Sequence, residues 1–235
     1  MCGLRLNLAA RFVNLATKIG SSYLFITYGA MKFVFWDWNG TIVNDAPACW
    51  MAFNDVLAKR GVVGVSFDHY QGRYRHPVRE MYEEVGLDLA AHPYQEVADE
   101  WHEHYTHQAA EALLHHDALS ALESLKARGS RQMVVSALPS DVLVRSVGRF
   151  GIGDFFEQIT GVSDRFGHGK VAEAQDLARR LGARGPEITV IGDSSHDAEV
   201  ARALSANCVL VARGAESRER LESNGFLVVD SFESL

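Results

Sequence analysis

The chain has 235 residues, 47% hydrophobic and 23% charged, with 30 acids against 23 bases and a formal net charge of −7. This is a globular composition: disorder needs fewer apolar and more charged residues, and an acidic chain does not hold nucleic acid non-specifically through Lys and Arg. Three scattered cysteines, Cys2, Cys49 and Cys208, lack CxxC spacing and read as free thiols, Cys208 as a buried one, not as a disulfide frame or zinc site.

Residues 1–30 stand apart. They carry Arg5, Arg11 and Lys18 and no acid, leaving a net −10 on the rest. Leu4, Leu8, Phe12, Leu15 and Ile19 recur at the spacing of an amphipathic helix. Lys18 interrupts any secretory signal, and no apolar run reaches the roughly 20 residues of a membrane span. The segment reads as an extension outside the fold, either a mis-set start before Met31 or a targeting segment.

Phe33-Val34-Phe35-Trp36 is a short apolar run of the kind that suits a buried parallel strand. The pattern predicts a helix over 46–60 stopped by Gly61. Residues 66–112 are polar, His-rich and helical, with Pro77 opening one helix that runs to Gly86 and Pro93 opening the next. From 117 strands and helices alternate. A helix to 127 precedes the strand Gln132–Ser136, a helix near 140–149 and the strand Gln158–Thr160. A helix near 170–181, the strand Ile188–Ile191, a helix near 196–204 and the strand Cys208–Val211 follow, then a helix near 216–222 and the strand Phe226–Val229. Alternation of this kind means βαβ units: an α/β fold with a doubly wound parallel sheet. The expected organisation is an extension over 1–30, an α/β core over 31–45 and 117–235, and an inserted α-helical cap over 46–116 above the C-terminal strand edge, where open α/β sheets bind ligands.

Polar residues sit at the expected strand ends: Asp37 after the first strand, Ser136 ending the next, Asp193 and Asp197 after Val190-Ile191-Gly192, with Lys170 in the loop between. Carboxylates can hold a hard divalent cation, and a hydroxyl with an ammonium suits phosphate oxygens. Asp37-Trp38-Asn39-Gly40-Thr41, Val-Val-Ser136, Lys170 and Gly192-Asp193-Ser194-Ser195-His196-Asp197 resemble, in order, the four motifs of the haloacid dehalogenase superfamily. The resemblance spans about residues 31–230 and extends to the helical-cap, phosphoglycolate-phosphatase-like members.

The resemblance implies a Rossmann-like core and Mg²⁺-dependent hydrolysis of a small phosphomonoester, a phosphorylated metabolite, by a cytoplasmic enzyme without membrane insertion. It makes Asp37 the nucleophile that forms an aspartyl-phosphate. Asp37, the Asn39 backbone carbonyl and Asp193 would bind Mg²⁺, with Asp197 supporting the metal shell or orienting Lys170. Thr41, Ser136, Ala137 and Lys170 would hold the substrate's phosphoryl group. One position departs. The family's phosphatases usually place Asp two residues after the nucleophile as acid and base, and here it is Asn39. An amide delivers no proton, and losing such a group costs roughly 10²–10⁴ in rate. The alternative is therefore a phosphate-binding or interaction protein with little hydrolytic activity. Restoring the acid with Asn39→Asp is expected to speed alkyl phosphates more than nitrophenyl phosphate.

Other features have plainer readings. His104 and His107 lack the His-Glu-x-x-His order and read as a solvated helix face. His196 and His168 read as loop residues beside the site. Arg73, Arg75 and Arg79 with His76 form either an exposed helix end or a recognition point for a second anionic group. Trp36 is expected in the core, and Trp38 shielding the site or facing the cap. Lys59, the lone lysine between 33 and 125, does not match the cap lysine of a phosphonate-cleaving enzyme.

Overall fold

The structure is a computed structural model that describes the backbone of residues 13–19 and 22–28, and, with side chains, residues 31–163, 169–233 and 235. Val13–Ile19 (β1) and Ser22–Tyr28 (β2) pair antiparallel as a two-stranded sheet of their own. The amphipathic helix expected across Leu15 and Ile19 is therefore not formed. Val13, Thr17, Ile19, Tyr23, Phe25, Ile26, Thr27 and Tyr28 are β-branched or aromatic, types that favour a pleated strand over a helix. Cys2, Leu4, Leu8, Phe12 and His168 lie outside the described residues.

Phe33–Trp36 (β3) lies at the centre of a six-stranded parallel sheet. Ala46–Lys59 (α1), Phe67–Arg73 (α2), Arg79–Glu84 (α3) and Tyr94–Gln108 (α4) come next. Pro47 sits in the first turn of α1, where a missing N–H costs nothing, and Gly61 follows its end at φ +70°. The α/β rhythm then runs Ala118–Ala127 (α5), Arg131–Pro139 (β4), Ser140–Phe150 (α6), Gln158–Val162 (β5), Val171–Leu181 (α7) and Ile188–Gly192 (β6). Ser195–Leu204 (α8), Asn207–Val211 (β7), Arg218–Glu222 (α9) and Leu227–Val229 (β8) complete it. The sheet order β5-β4-β3-β6-β7-β8 is the doubly wound arrangement expected from the sequence.

Strand alternation divides the core. Val34, Trp36, Val134 and Ile191 pack on one face against Leu122 and Leu125 of α5 and Leu143 and Val147 of α6. Phe33, Phe35, Met133 and Val190 pack on the other against α7 and α8. A third apolar cluster, with Phe53, Val56, Leu57, Tyr82 and Val97 among its members, lies within α1–α4. Strand β4 runs on to Pro139, past the expected end at Ser136. The pairing with β5 shifts register between Val135 and Pro139, and buried Ser136 within that irregular stretch is satisfied by the Leu138 N–H. Trp38 is fully buried against Phe150 and Phe156, with its indole N–H on Ser146 Oγ at 2.9 Å. It packs in the core and neither shields the site nor faces the cap.

Candidate active site

Register brings the expected residues together. Trp36 of β3 aligns with Val134 of β4 and with Ile191 of β6. Asp37 therefore stands one residue past this line, and Ser136 and Asp193 two past it, at the edge where the strand order reverses. The Asp37 N–H donates to the Ile191 carbonyl at 2.8 Å, which carries the β3–β6 pairing up to Asp37.

Gly40 then turns the chain at φ +69°, and a Cβ there would overlap the Asp193 carboxylate. A Cβ at Gly214 would overlap the same Asp193 oxygen. Asp193 Oδ1 accepts from Thr41 Oγ1 at 2.8 Å, and Oδ2 accepts from the Ala215 N–H. Thr41 also approaches Asp37 Oδ2 at 3.3 Å and is fully buried, behind the cavity wall. Lys170 caps the start of α7 with its ammonium buried between Asp37 Oδ1 and Asp197 Oδ1, the latter at 2.7 Å. The other Asp197 oxygen accepts from Ser194 Oγ at 2.8 Å and from Ser194 N–H at 3.1 Å, so Asp197 is tied to the start of α8. Ser136 is buried, its Oγ accepts from the Leu138 N–H at 3.1 Å, and with Ala137 it lines the cavity.

Burial raises the Asp37 carboxyl above its usual range, partly offset by Lys170. Burial, and then the charges of Asp37 and Asp197, push Asp193 well up. Burial also works against ionised Asp197, but Lys170 overrides it and holds the group low. Lys170 is desolvated too, yet its two carboxylates keep it firmly protonated. Oxygens of Asp37, Asp193 and Asp197 lie within 4.8 Å of one another. Three buried acids facing one ammonium form an oxygen donor set short of positive charge, which fits a hard dication.

Several residues here were not singled out by the sequence. Asn39 Nδ2 donates to Asp45 Oδ2 and approaches Tyr105 Oη at 2.6 Å. Tyr105 itself donates to Asp45 Oδ2 at 2.6 Å, and Gly40 N–H donates to Asp45 Oδ1 at 2.7 Å. Burial raises Asp45 to about 6 despite these donors. The available signal was an acid eight residues past Asp37, just before the Pro47 helix start. His115 contacts the Gly40 carbonyl through Nε2 at 3.1 Å and is lowered to about 4, chiefly by burial and then by Arg213. Glu216, expected inside a helix, precedes α9 and accepts from Ser195 N–H and Oγ at 2.9 and 2.6 Å. His196 lies in the first turn of α8, not in a loop. Its Nε2 accepts from Lys170 N–H at 2.8 Å, so Nδ1 carries the proton toward Glu199 at 3.0 Å.

The sequence profile of haloacid dehalogenase-like hydrolases matches residues 34–211. The chain belongs to this family. The hydrolase is 24% identical over 182 residues to the phosphoglycolate phosphatase of Rhodobacter capsulatus, covering 76% of this chain and 83% of that one. It is 27% identical over 189 residues to that of Cereibacter sphaeroides, covering 78% and 86%. Its fold is shared with a haloacid dehalogenase-like family hydrolase from Streptococcus pneumoniae, at TM-score 0.74 and 16% identity over 86% of this chain and 95% of that one. A hydrolase from Pseudomonas syringae shares it too, at TM-score 0.71 and 16% identity over 85% and 93%. Among the described residues no helix is long and apolar enough to cross a membrane.

The helices between β3 and β4 reach this hydrolase's strand edge directly. Gln71 Nε2 donates to the Gly214 carbonyl at 2.7 Å, Arg220 donates to the Tyr74 carbonyl at 2.8 Å, and the His76 and His196 rings lie 4.7 Å apart. A cavity of about 130 Å³ lies between, walled by Asp37, Asp193, Lys170 and Ser136 on one side and by side chains of the helical block on the other.

Proposed function

We propose that this hydrolase is a magnesium-dependent phosphomonoesterase that passes the phosphoryl group through Asp37. The observation that carries the reading is the Asp37 carboxylate itself: at a strand end, open to the cavity, with the Lys170 ammonium on one side and Asp193 on the other. The named activity of the Rhodobacter and Cereibacter relatives supports it. Residues 46–116 act as the cap, and a small phosphorylated metabolite of the cytoplasm is the substrate.

An Asp37 oxygen attacks phosphorus, the P–O bond to the alcohol breaks, and the phosphoryl group rests on Asp37. The departing alkoxide takes a proton from solvent. Water then attacks that phosphorus and sheds a proton to solvent, the bond to Asp37 breaks, and inorganic phosphate leaves with the carboxylate restored. Lys170 and the N–H groups after Ser136 balance charge on the phosphoryl oxygens. Asp37, Asp193 and the Asn39 carbonyl would hold the magnesium. When bound, the ion draws negative charge off the phosphoryl group. Asp197, with both oxygens engaged by Lys170 and Ser194, keeps the ammonium aimed at Asp37. Asn39 supplies no proton, so the first step depends on the acidity of the departing alcohol.

A panel of phosphorylated metabolites and nitrophenyl phosphate, assayed with and without Mg²⁺, tests the reading. The expected outcome is Mg²⁺-dependent phosphate release that disappears in Asp37→Asn. Release that persists in that variant would exclude Asp37 as the nucleophile.

A further inference from the structure

We infer that the alcohol half of the substrate is uncharged and aromatic or otherwise apolar, and that it is not a carboxylate. The inference rests on the phosphomonoesterase reading for one point only, the seat of the phosphoryl group at Asp37. Beyond Asp37 the cavity is walled by the rings of Tyr70, Tyr74, Tyr82 and Trp101 and by Val78. These rings are braced. Tyr82 stacks on Phe53 with centroids 4.4 Å apart, and Trp101 stacks on Tyr105 at 5.0 Å and 7°. Fixed aromatic walls favour a flat or apolar group that fills them, with little side-chain ordering to offset.

A carboxylate in this space would need a cation or a fork of donors. Among the described residues the single Lys or Arg side chain in the wall is Lys170, and it is already held between Asp37 and Asp197. The three arginines that could have recognised a second anion turn elsewhere. Arg73 pairs with Glu84 at 2.7 Å, Arg75 with Glu84 and Glu80 at 2.6 and 3.0 Å, and Arg79 with Glu83 at 3.0 Å. None of them lines the cavity. His196 presents its Nε2 lone pair to the Lys170 amide and its Nδ1 proton to Glu199, so it offers the cavity no ring N–H. Asp45 does line the cavity, and its hydrogen-bond donors are all neutral: Asn39, Gly40 and Tyr105. A substrate carboxylate would lose water, meet among the described residues no Lys or Arg besides Lys170 and otherwise only the imidazole rings of His76 and His102, and stand near a second acid.

Four esters test this on the full chain with Mg²⁺: benzyl phosphate, 4-carbamoylbenzyl phosphate, 4-carboxybenzyl phosphate and phosphoglycolate. The first three share one leaving-group chemistry, so they differ in bulk and charge alone. The expected kcat/KM values for benzyl and carbamoylbenzyl phosphate agree within about fivefold, and those for the two carboxylated esters are at least about tenfold lower. In Val78→Lys, shown to be folded by its melting temperature, the added ammonium narrows that gap. An unchanged gap in the folded variant overturns the role given to the missing cation. Equal or faster wild-type turnover of the carboxylated esters overturns the inference outright, while leaving the phosphomonoesterase reading intact. If no ester is turned over, it is the phosphomonoesterase reading that fails. Calorimetry with 2-phenylethylphosphonate and its 4-carboxy derivative in Mg²⁺ then decides the inference separately. Tighter binding of the uncharged phosphonate supports it, and equal or weaker binding, or none of either, overturns it.

Discussion

Asp37, Lys170 and Asp197 form a line of alternating charges almost sealed from water, whereas the wall across the cavity is built from Tyr70, Tyr74, Tyr82 and Trp101. The first region is held by the sheet: its residues follow strands in parallel register, and two glycines leave room for Asp193 alone. The second is held by helices with an apolar cluster of their own. The contrast separates two tasks. A charge constellation must be positioned to fractions of an ångström and tolerates little change, while an aromatic wall selects by shape and can vary without disturbing the chemistry.

The largest expected effect lies wholly on the charged side. Asp37→Asn should lower kcat by about 10⁴-fold or more, with the thermal midpoint retained, as steady-state assays and melting curves would show. Lys170→Met should also end turnover, but it should cost stability as well. It leaves Asp37 and Asp197 buried without their cation, a loss of about 3–5 kcal/mol measurable by urea unfolding. A full-stability Lys170→Met protein would show that the ion pairs do not hold the crevice together.

The next variant crosses between the two sides. Asn39→Asp alone sets a new carboxylate against Asp45, whose Oδ2 now receives the Asn39 amide. Repulsion should blunt the gain expected from the sequence. Asn39→Asp with Asp45→Asn relieves it, and should raise kcat on benzyl phosphate at least about tenfold over the single variant, with a smaller gain on nitrophenyl phosphate. Equal rates for the single and double variants would mean that Asp45 does not control position 39.

His115 gives a smaller effect, seen against pH. Its proton is taken up near 6.5 in the unfolded chain and near 4 in the fold. Its contribution is therefore complete above about 6.5 and is lost as pH falls toward 4. His115→Gln, which can still donate to the Gly40 carbonyl, should lose less in melting temperature than wild type between pH 7 and 4.5. The smallest effect is expected on the outer face of the helical block. Arg79→Ala, which breaks an exposed pair with Glu83, should leave KM unchanged and the midpoint within about 2 °C.

Legibility followed the same division. Asp37, Ser136 and Asp193 could be read in the sequence because each ends or follows the apolar run of a strand, and parallel strands bring run-ends together whatever the side-chain detail. Lys170 and Asp197, at the starts of α7 and α8, were legible only through the order of the motifs. Asp45 and Tyr105 could not be read that way. They are 60 positions apart, one ahead of α1 and the other near the end of α4, and only the packing of those helices sets Tyr105 Oη on Asp45. The arginines of the helical block were visible as a cluster, but their glutamate partners at 80, 83 and 84 decided where they point. The spacing from Leu4 to Ile19 misled over residues 13–19 because a period near four in apolar residues also occurs in segments whose β-branched content favours strands.

The central place of β3 has a consequence for the order in which the molecule comes into being. Both neighbours of β3, strands β4 and β6, begin far downstream, at Arg131 and Ile188. At synthesis rates of about 5–20 residues per second, β3 waits roughly 5–20 s for its first partner and longer for its second. Helices α1–α4 emerge entirely within that interval, carrying the cluster of Phe53, Leu57 and Tyr82, while Cys49 and Trp101 pack both on it and on the core cluster formed later. The residues of the aromatic wall are thus all synthesised before Asp37 can meet Lys170.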